Sequence, residues 1–347
     1  MAGGTDYSKF KRIAVVLAAV VLSYVSLGIW NILTTPILGV MFCPGYEICR
    51  VYPGSPAAEA GIMLGDKILA VDGTSVRDVG PLGMGAARPG DVRVYEIERH
   101  GEVIEVKVSL DRPQPRSMYL RSGPTIVGLF FIISGLYVFF NRPAQISKTY
   151  FLLCLAVGWM LSNPPRATGP TARFLSGALE ITAWLACAAL LVYFFWIFPR
   201  PKRLIHQNPK LIGLLFGVAG LAGSALILAL ASTLLLGFDL PHKFLVLLDY
   251  FTGVVIIGCF GLAAGSFIHG YFTTPHGPVK RNLRLVLAAS FLGMLPVIAY
   301  SVMFAINPHL KLPLEGHVVL LVLLIPITLG YGVFHRLSEK ANSGIRT

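Results

Sequence analysis

Apolar runs of bilayer-spanning length recur along this chain and constrain its fold more than any other feature. Eight are read, at 13–33, 124–140, 149–161, 175–198, 211–236, 244–272, 283–306 and 317–334. A helix rising 1.5 Å per residue needs about 20 such residues to cross about 30 Å of hydrocarbon; the third run is the shortest. The chain is 55% hydrophobic and 13% charged, with a mean hydropathy of +0.70, well away from soluble domains. Between the first and second runs the sequence is soluble in character. The expected fold is a mainly α membrane protein, with about eight transmembrane helices and one small α+β domain between helices 1 and 2.

Lys and Arg in the loops set the orientation. With a cytoplasmic N-terminus, fifteen cations lie inside: Lys9, Lys11, Arg12, Arg142, Lys148, Arg200, Lys202, Arg203, Lys210, Lys280, Arg281, Arg284, Arg336, Lys340 and Arg346. Only Arg166, Arg173, Lys243 and Lys311 fall in the short loops opposite. Both termini are therefore expected in the cytoplasm and the soluble domain outside it. Just over half of the cations behind the net charge of +12 flank helix ends, where topology and anionic headgroups account for them. No compact basic face for nucleic acid is evident. The first run is long for a signal peptide and no A-x-A cleavage site follows it, so an uncleaved anchor is expected.

In the soluble stretch, 37–42 and 48–52 are β-rich, and Pro44-Gly45 between them reads as a hairpin turn. Ser55 suits a helix N-cap, Pro56 the first helical position and Gly61 a left-handed C-cap. Gly65-Asp66 turns the chain into a strand at 67–71, and Asp72-Gly73 turns it again. A last hairpin, 92–98 with 102–110 through His100-Gly101, puts Ile104, Val106, Val108 and Leu110 on one face.

The segment VYPGSPAAEAGIMLGDKILAVDG at 51–73 resembles bacterial PDZ domains of the kind appended to envelope proteases and membrane sensors. The likeness extends over 36–112. It implies that a peptide strand adds to a sheet edge, with the peptide's terminal carboxylate held on loop amides. Leu38-Gly39-Val40 matches the family's carboxylate loop; the alternative is that Gly39 merely starts a strand after the first helix. The helix that should wall the groove, 76–88, carries Gly80, Pro81, Gly83 and Gly85, which suit a helix interior poorly. Cys43 and Cys49 flank the first hairpin turn on the oxidising side, where either a disulfide or two thiols fits. The organisation expected is an N-terminus and first helix (1–34), the PDZ domain (36–112), a stiff Pro-containing linker (113–123), a seven-helix bundle (124–335) and a cytoplasmic tail (336–347).

In the bundle, Gly213-x-x-x-Gly217 and Gly261-x-x-x-Gly265 suit close helix packing, and Pro296 and Pro326 imply kinks. Glu180, one turn above Trp184, and Asp249, beside Tyr250, sit about 9 Å below the outer surface. They form either a pocket for a cationic or amphipathic ligand, a protonation-sensitive pair, or carboxylates satisfied by neighbouring helices or interfacial water. The eight histidines lack metal-ligand spacing, and no zinc-protease, rhomboid, P-loop, kinase or Rossmann motif occurs. No catalytic residue, metal or cofactor is expected.

YFFWIFPRPKRLIHQNPKLI at 193–212, FTTPHGPVKRNLRLVLAASFLGMLP at 272–296 and LLIPITLGYGVFHRL at 323–337 resemble the membrane helices of competence-kinase-type sensor histidine kinases. Some of those carry an extracytoplasmic PDZ domain. The resemblance implies a bundle that senses extracellular peptides or envelope conditions and passes the change to a cytoplasmic kinase. Ten residues follow Leu337, without phosphoacceptor helix or ATP-binding domain, so the chain is either a kinase-less relative acting through a partner or a truncated receptor half. His335, at a membrane exit, reads as a helix C-terminal cation. The functional expectation is a sensor in the bacterial inner membrane that recognises a peptide or protein C-terminus and signals to a cytoplasmic or membrane partner. The alternatives are an envelope scaffold recruiting protein C-termini and, third, an intramembrane enzyme.

Overall fold

The computed structural model describes residues 3–43, 46–76, 88–110, 115–164, 169–238, 240–275, 277–306 and 318–344. α1 (Gly3–Thr34) leads into a small domain of β1 (Val40–Phe42), β2 (Ile48–Val51), α2 (Pro56–Glu59), β3 (Lys67–Val71), β4 (Thr74–Ser75), β5 (Asp91–Arg99) and β6 (Glu102–Leu110). The bundle then follows as α3 (Pro115–Asn141), α4 (Gln145–Leu161), α5 (Pro170–Ile197), the short α6 (Arg203–Gln207), α7 (Lys210–Leu234), α8 (His242–Thr273) and α9 (Pro278–Ile306). A 3₁₀ turn (Val318–Leu323) enters α10 (Leu324–Gly344). Helices dominate because lipid offers backbone groups no partner but their own segment.

Among the described residues, seven helices are long and apolar enough to cross a membrane. α4, with 17 residues, is the short one, at about 25 Å. It nevertheless packs against α1, α3, α5 and α10, and its Tyr150, Phe151 and Cys154 are fully buried. α3 and α4 approach closely through small residues: a Cβ on Gly158 would lie 2.5 Å from Ile132 Cγ1, and one on Gly135 2.6 Å from Cys154 Cβ. The sequence motifs pointed elsewhere. Cβ atoms added at Gly213, Gly217, Gly261 or Gly265 would meet nothing within 4 Å, so those glycines face open surface.

Contacts sort the helix ends into two levels. At one, Lys11 lies over Phe140, Lys148 over Phe10, Arg142 over Phe334 and Lys280 over Tyr271. Phe194, near the end of α5, meets Tyr150, near the start of α4, and Lys202 Nζ donates to Ser266 O on α8 at 2.9 Å. At the other level, beside the small domain, Asn31 Nδ2 donates to the carbonyls of Asn163 (3.1 Å) and Pro164 (3.2 Å). α4 therefore joins the two levels that α1 joins between Phe10 and Asn31, about 32 Å apart along that helix.

Two further expectations change. The linker at 113–123 is helical from Pro115 onward, because proline suits a helix start and Pro124 is accommodated inside α3. Pro326 does not kink a continuous helix; it sits in the first turn of α10, just after the 3₁₀ turn. Its carbonyl accepts from Ser134 Oγ (2.8 Å) and Tyr150 Oη (3.1 Å), pinning α10 to α3 and α4.

In the small domain, β1 and β2 form a two-stranded antiparallel sheet, while the other strands run in the order β4-β3-β5-β6. The Asp72-Gly73 and His100-Gly101 turns have positive φ at both residues, as two-residue hairpin loops require. The Ser55 side chain accepts from Ala58 N–H, with Pro56 opening the helix, and Gly61 is left-handed at φ 77°. Ile48, Ile68, Tyr95, Ile97, Val108 and Leu110 fill the core.

Candidate functional site

The domain hangs on α1 by a few residues. Thr34 ends the helix, and the Leu38 side chain is already in the domain core, 1% exposed. The Leu38 carbonyl accepts from Ala57 N–H at 3.0 Å, and that of Gly39 from Tyr52 N–H at 2.9 Å. Among the described residues, the N–H groups of Leu38 and Gly39 donate to no carbonyl. Val40 lies opposite Val51. Antiparallel bonding alternates, so with Gly39–Tyr52 on the bonded side, Val40 turns its N–H and C=O to the far edge of β1. That edge carries no strand among the described residues. Three successive amides thus stand at one end of an open strand edge, an arrangement suited to a terminal carboxylate.

Gly39 is required there by geometry. Its φ is +77°, and a Cβ would lie 2.2 Å from Ser55 Cβ. Ser55 is itself 1% exposed, so the α2 N-cap fits against the glycine. Leu38 contributes its backbone to the loop, since its side chain is a core anchor. A charge at that position would therefore unfold the domain instead of selectively blocking binding. The predicted groove helix lies, apart from its end residues Val76 and Arg88, outside the described residues; Val76 packs in the core. Cys43 and Cys49 are joined as a disulfide, with Cα atoms 5.6 Å apart.

Sequence reading took Asp66 and Asp72 as turn residues, but both also hold ion pairs. Asp66 receives Arg99 Nε at 2.8 Å, Arg99 Nη2 at 2.7 Å and Met63 N–H at 2.7 Å. Asp72 receives Arg93 Nη1 at 2.6 Å and Val94 N–H at 2.9 Å. Burial pushes each carboxyl up, but these donors prevail and hold both below the usual carboxylate range. The two ends of β3 are thereby stapled to the two ends of β5. Equal spacing was the readable signal: two aspartates six apart opposite two arginines six apart.

Residues 47–92 match the PDZ domain family. The match begins after β1, so the 38–40 loop of the PDZ domain rests on its geometry. No curated protein matches the chain. As PDZ domains generally bind peptide C-termini or proteins, this one marks the chain for protein interaction, and the apolar helices mark it for a membrane.

In the bundle, Glu180 and Trp184 are exposed on α5, and Asp249 and Tyr250 on α8. No ion pair or hydrogen bond joins the two carboxylates, and Glu180 lies within electrostatic reach of Tyr24 on α1. Measured from the level where Phe195 meets Phe267, Glu180 stands about 22 Å along α5 and Asp249 about 27 Å along α8. A cleft of 390 Å³ between α5 and α7, lined by Leu185, Ala189, Phe216 and Ala219 among others, includes none of the four. The aromatic residues that end α5 have a packing role: Phe194 stacks on Phe198, and Phe195 meets Phe267.

Proposed function

We propose that this chain is a membrane signal-input protein. Its PDZ domain, outside the cytoplasm, adds a peptide strand to the open edge of β1 and holds the peptide's carboxylate on the amides of 38–40. The change passes through the bundle to a cytoplasmic or membrane partner of the kinase class. The role proposed is binding and coupling, without catalysis. Eight crossings and cytoplasmic termini belong to this reading. They are supported by the cation bias and by α4 joining the same two levels as α1.

The observation that carries the proposal is the junction beneath the loop. Four residues before Leu38, α1 ends. There Arg121 of α3 donates to the carbonyls of Thr35 (3.2 Å) and Asn31 (3.5 Å), and Thr35 Oγ1 donates to Asn31 Oδ1 at 2.6 Å. A Cβ on Gly28 would lie 2.9 Å from Asn163 N. A strand added to β1 therefore acts on a point where α1, α3 and the α4–α5 loop are already joined. The likeness of the bundle segments to kinase-type sensors points the same way.

The test uses the full chain in nanodiscs and a library of peptides with free or amidated C-termini. Peptides with a free carboxylate are expected to bind, and their amides much more weakly. Hydrogen exchange is then expected to change at 28–35 and at the opposite helix ends. Absence of binding refutes recruitment. Binding confined to the domain, with no change at the far ends, replaces the sensor by a scaffold that recruits protein C-termini.

A further inference from the structure

The ends of α5 and α8 away from the PDZ domain enclose a cleft of 680 Å³. Arg200 and Lys202 line it from the loop after α5, Arg203 from the start of α6, and His269, Thr273 and Thr274 from the end of α8 and its C-cap. Lys202 is committed: its Nζ caps the Ser266 carbonyl, and burial draws its pKa below the usual lysine value. The two threonine hydroxyls donate to carbonyls of their own helix, Thr273 to His269 O and Thr274 to Gly270 O. Arg200 and Arg203 are exposed, and neither makes an ion pair among the described residues. Two guanidiniums and an imidazole thus converge with no carboxylate in the lining.

The loops that form the cleft supply no countercharge, and the acidic residues of the terminal helices at that end are Asp6 and Glu339, outside the lining. From 124 to 335 the acidic residues are Glu180, Asp239, Asp249 and Glu315. Glu180 and Asp249 lie in the PDZ-side halves of α5 and α8, and Asp239 and Glu315 follow α7 and α9 in the sequence. The loops at the cleft's end contribute Arg200, Lys202, Arg203, Lys210, Lys280, Arg281 and Arg284 and no acid. A cationic cleft at the edge of a hydrocarbon layer draws its neutralising group from outside the chain. The cleft's floor is apolar, with Pro199 buried. Above it α8 presents Phe272, Ile268 and Leu262, each about half exposed or more, along which acyl chains can lie.

We propose that this cleft binds a phosphate monoester or diester, and that its source is the headgroup of an anionic phospholipid. Arg200 and Arg203 hold the phosphoryl oxygens as guanidiniums do, through paired N–H donors. His269 completes the ring, and the lipid tails follow α8. The site stands apart from the PDZ groove, at the opposite end of the bundle, and does not depend on peptide binding there.

The test compares the full chain in neutral detergent by native mass spectrometry, titrated with phosphatidylglycerol or with phosphatidylcholine. The R200Q/R203Q variant is set against K9Q/R12Q, which removes the same charge from the same end outside the cleft. Phosphatidylglycerol is expected to be retained over phosphatidylcholine. R200Q/R203Q should weaken that retention about 30-fold, roughly five-fold per headgroup-facing cation, and K9Q/R12Q should leave it within about two-fold. Both variants replace exposed side chains, and an unchanged melting temperature verifies their fold. Displacement of the lipid by millimolar inorganic phosphate in the unmodified protein, but not in R200Q/R203Q, would keep the site and assign it a soluble phosphate. Equal retention of the two lipids, or equal weakening by both variants, overturns the proposal.

Discussion

Replacing Asp66 by Asn tests the view that ion-pair staples hold the PDZ sheet together. The Asp66 side chain is 2% exposed and that of Arg99 24%. The variant loses two charge-assisted bonds from Arg99 and keeps a neutral acceptor for Met63 N–H. Breaking a fully buried pair costs about 3–5 kcal/mol, whereas an exposed one is worth about 0–1 kcal/mol. Arg99 can partly rehydrate and keeps its bond to Gly61 O at 2.8 Å, so the expected loss is about 2–3 kcal/mol. In the full chain, measured by hydrogen exchange, amide protection in β3 and β5 should fall about 30- to 150-fold. The Lys67–Glu98 pair, at 3.9 Å with both side chains largely exposed, is the control; Lys67→Gln should change protection less than about two-fold. The sign with pH follows from the lowered Asp66 pKa. Its contribution is complete above the unfolded carboxylate value, near pH 4, and fades as pH falls through the folded value. The gap between the protein and its Asn variant should therefore close on acidification. Protection unchanged at neutral pH, or a gap that widens in acid, refutes the reasoning.

Gly39→Ala should destabilise the PDZ domain by about 2–3 kcal/mol through left-handed strain plus the clash with Ser55, against about 1 kcal/mol for Gly54→Ala, which has the strain alone; equal melting shifts would contradict this. Gly158→Ala should destabilise the bundle by about 1–3 kcal/mol through overpacking against Ile132, seen as a lower thermal midpoint, while Gly213→Ala, facing open surface, should be neutral or slightly stabilising. Glu180→Gln should shift stability or signal output, because Glu180 lies within electrostatic reach of Tyr24 on α1. Asp249→Asn, at an exposed position of α8, should leave both unchanged. Identical behaviour of the two would count against a coupling of α5 to α1 through Glu180.

Period and punctuation made much of this fold readable. The apolar runs became helices, the Asp-Gly and His-Gly pairs became tight turns, and Ser-Pro opened α2, because each depends on local backbone chemistry. Features that depend on a distant partner were hidden. Gly-x-x-x-Gly spacing pointed to α7 and α8, but the close approach lies at Gly128, Gly135 and Gly158, where α3 folds back on α4 through a short turn. Spacing alone cannot report which helix stands opposite. The second role of Asp66 and Asp72 depended on β5 pairing antiparallel to β3, so the arginine partners surfaced only with the register. Leu38 looked like a ligand contact; that its side chain points inward follows from the Ala57 and Tyr52 bonds that fix the loop.

The division of the PDZ domain into two sheets bears on how a ligand could act. The staples lie in the β4-β3-β5-β6 sheet, whereas the ligand edge belongs to the two-stranded β1-β2 sheet that continues into α1. Glu47, just before β2, bridges to Lys67 of β3, and Ile48 N–H donates to the Asp66 carbonyl at 2.7 Å. Among the described residues β1 pairs with β2 alone, and a further strand on such an edge makes it markedly more stable. A peptide on β1 would therefore stiffen the part of the domain nearest the membrane while the stapled sheet stays as it was. The Cys43–Cys49 bond already closes this hairpin and, over so short a loop, removes about 2 kcal/mol of conformational freedom from the open form. Part of the ordering cost of binding is thus met in advance. Reducing the disulfide in the full chain should weaken peptide binding by up to about 30-fold, with protection in β5 and β6 little altered. If β5 and β6 lose protection in step with binding, the domain moves as one body and the ligand cannot act through β1 and β2 alone.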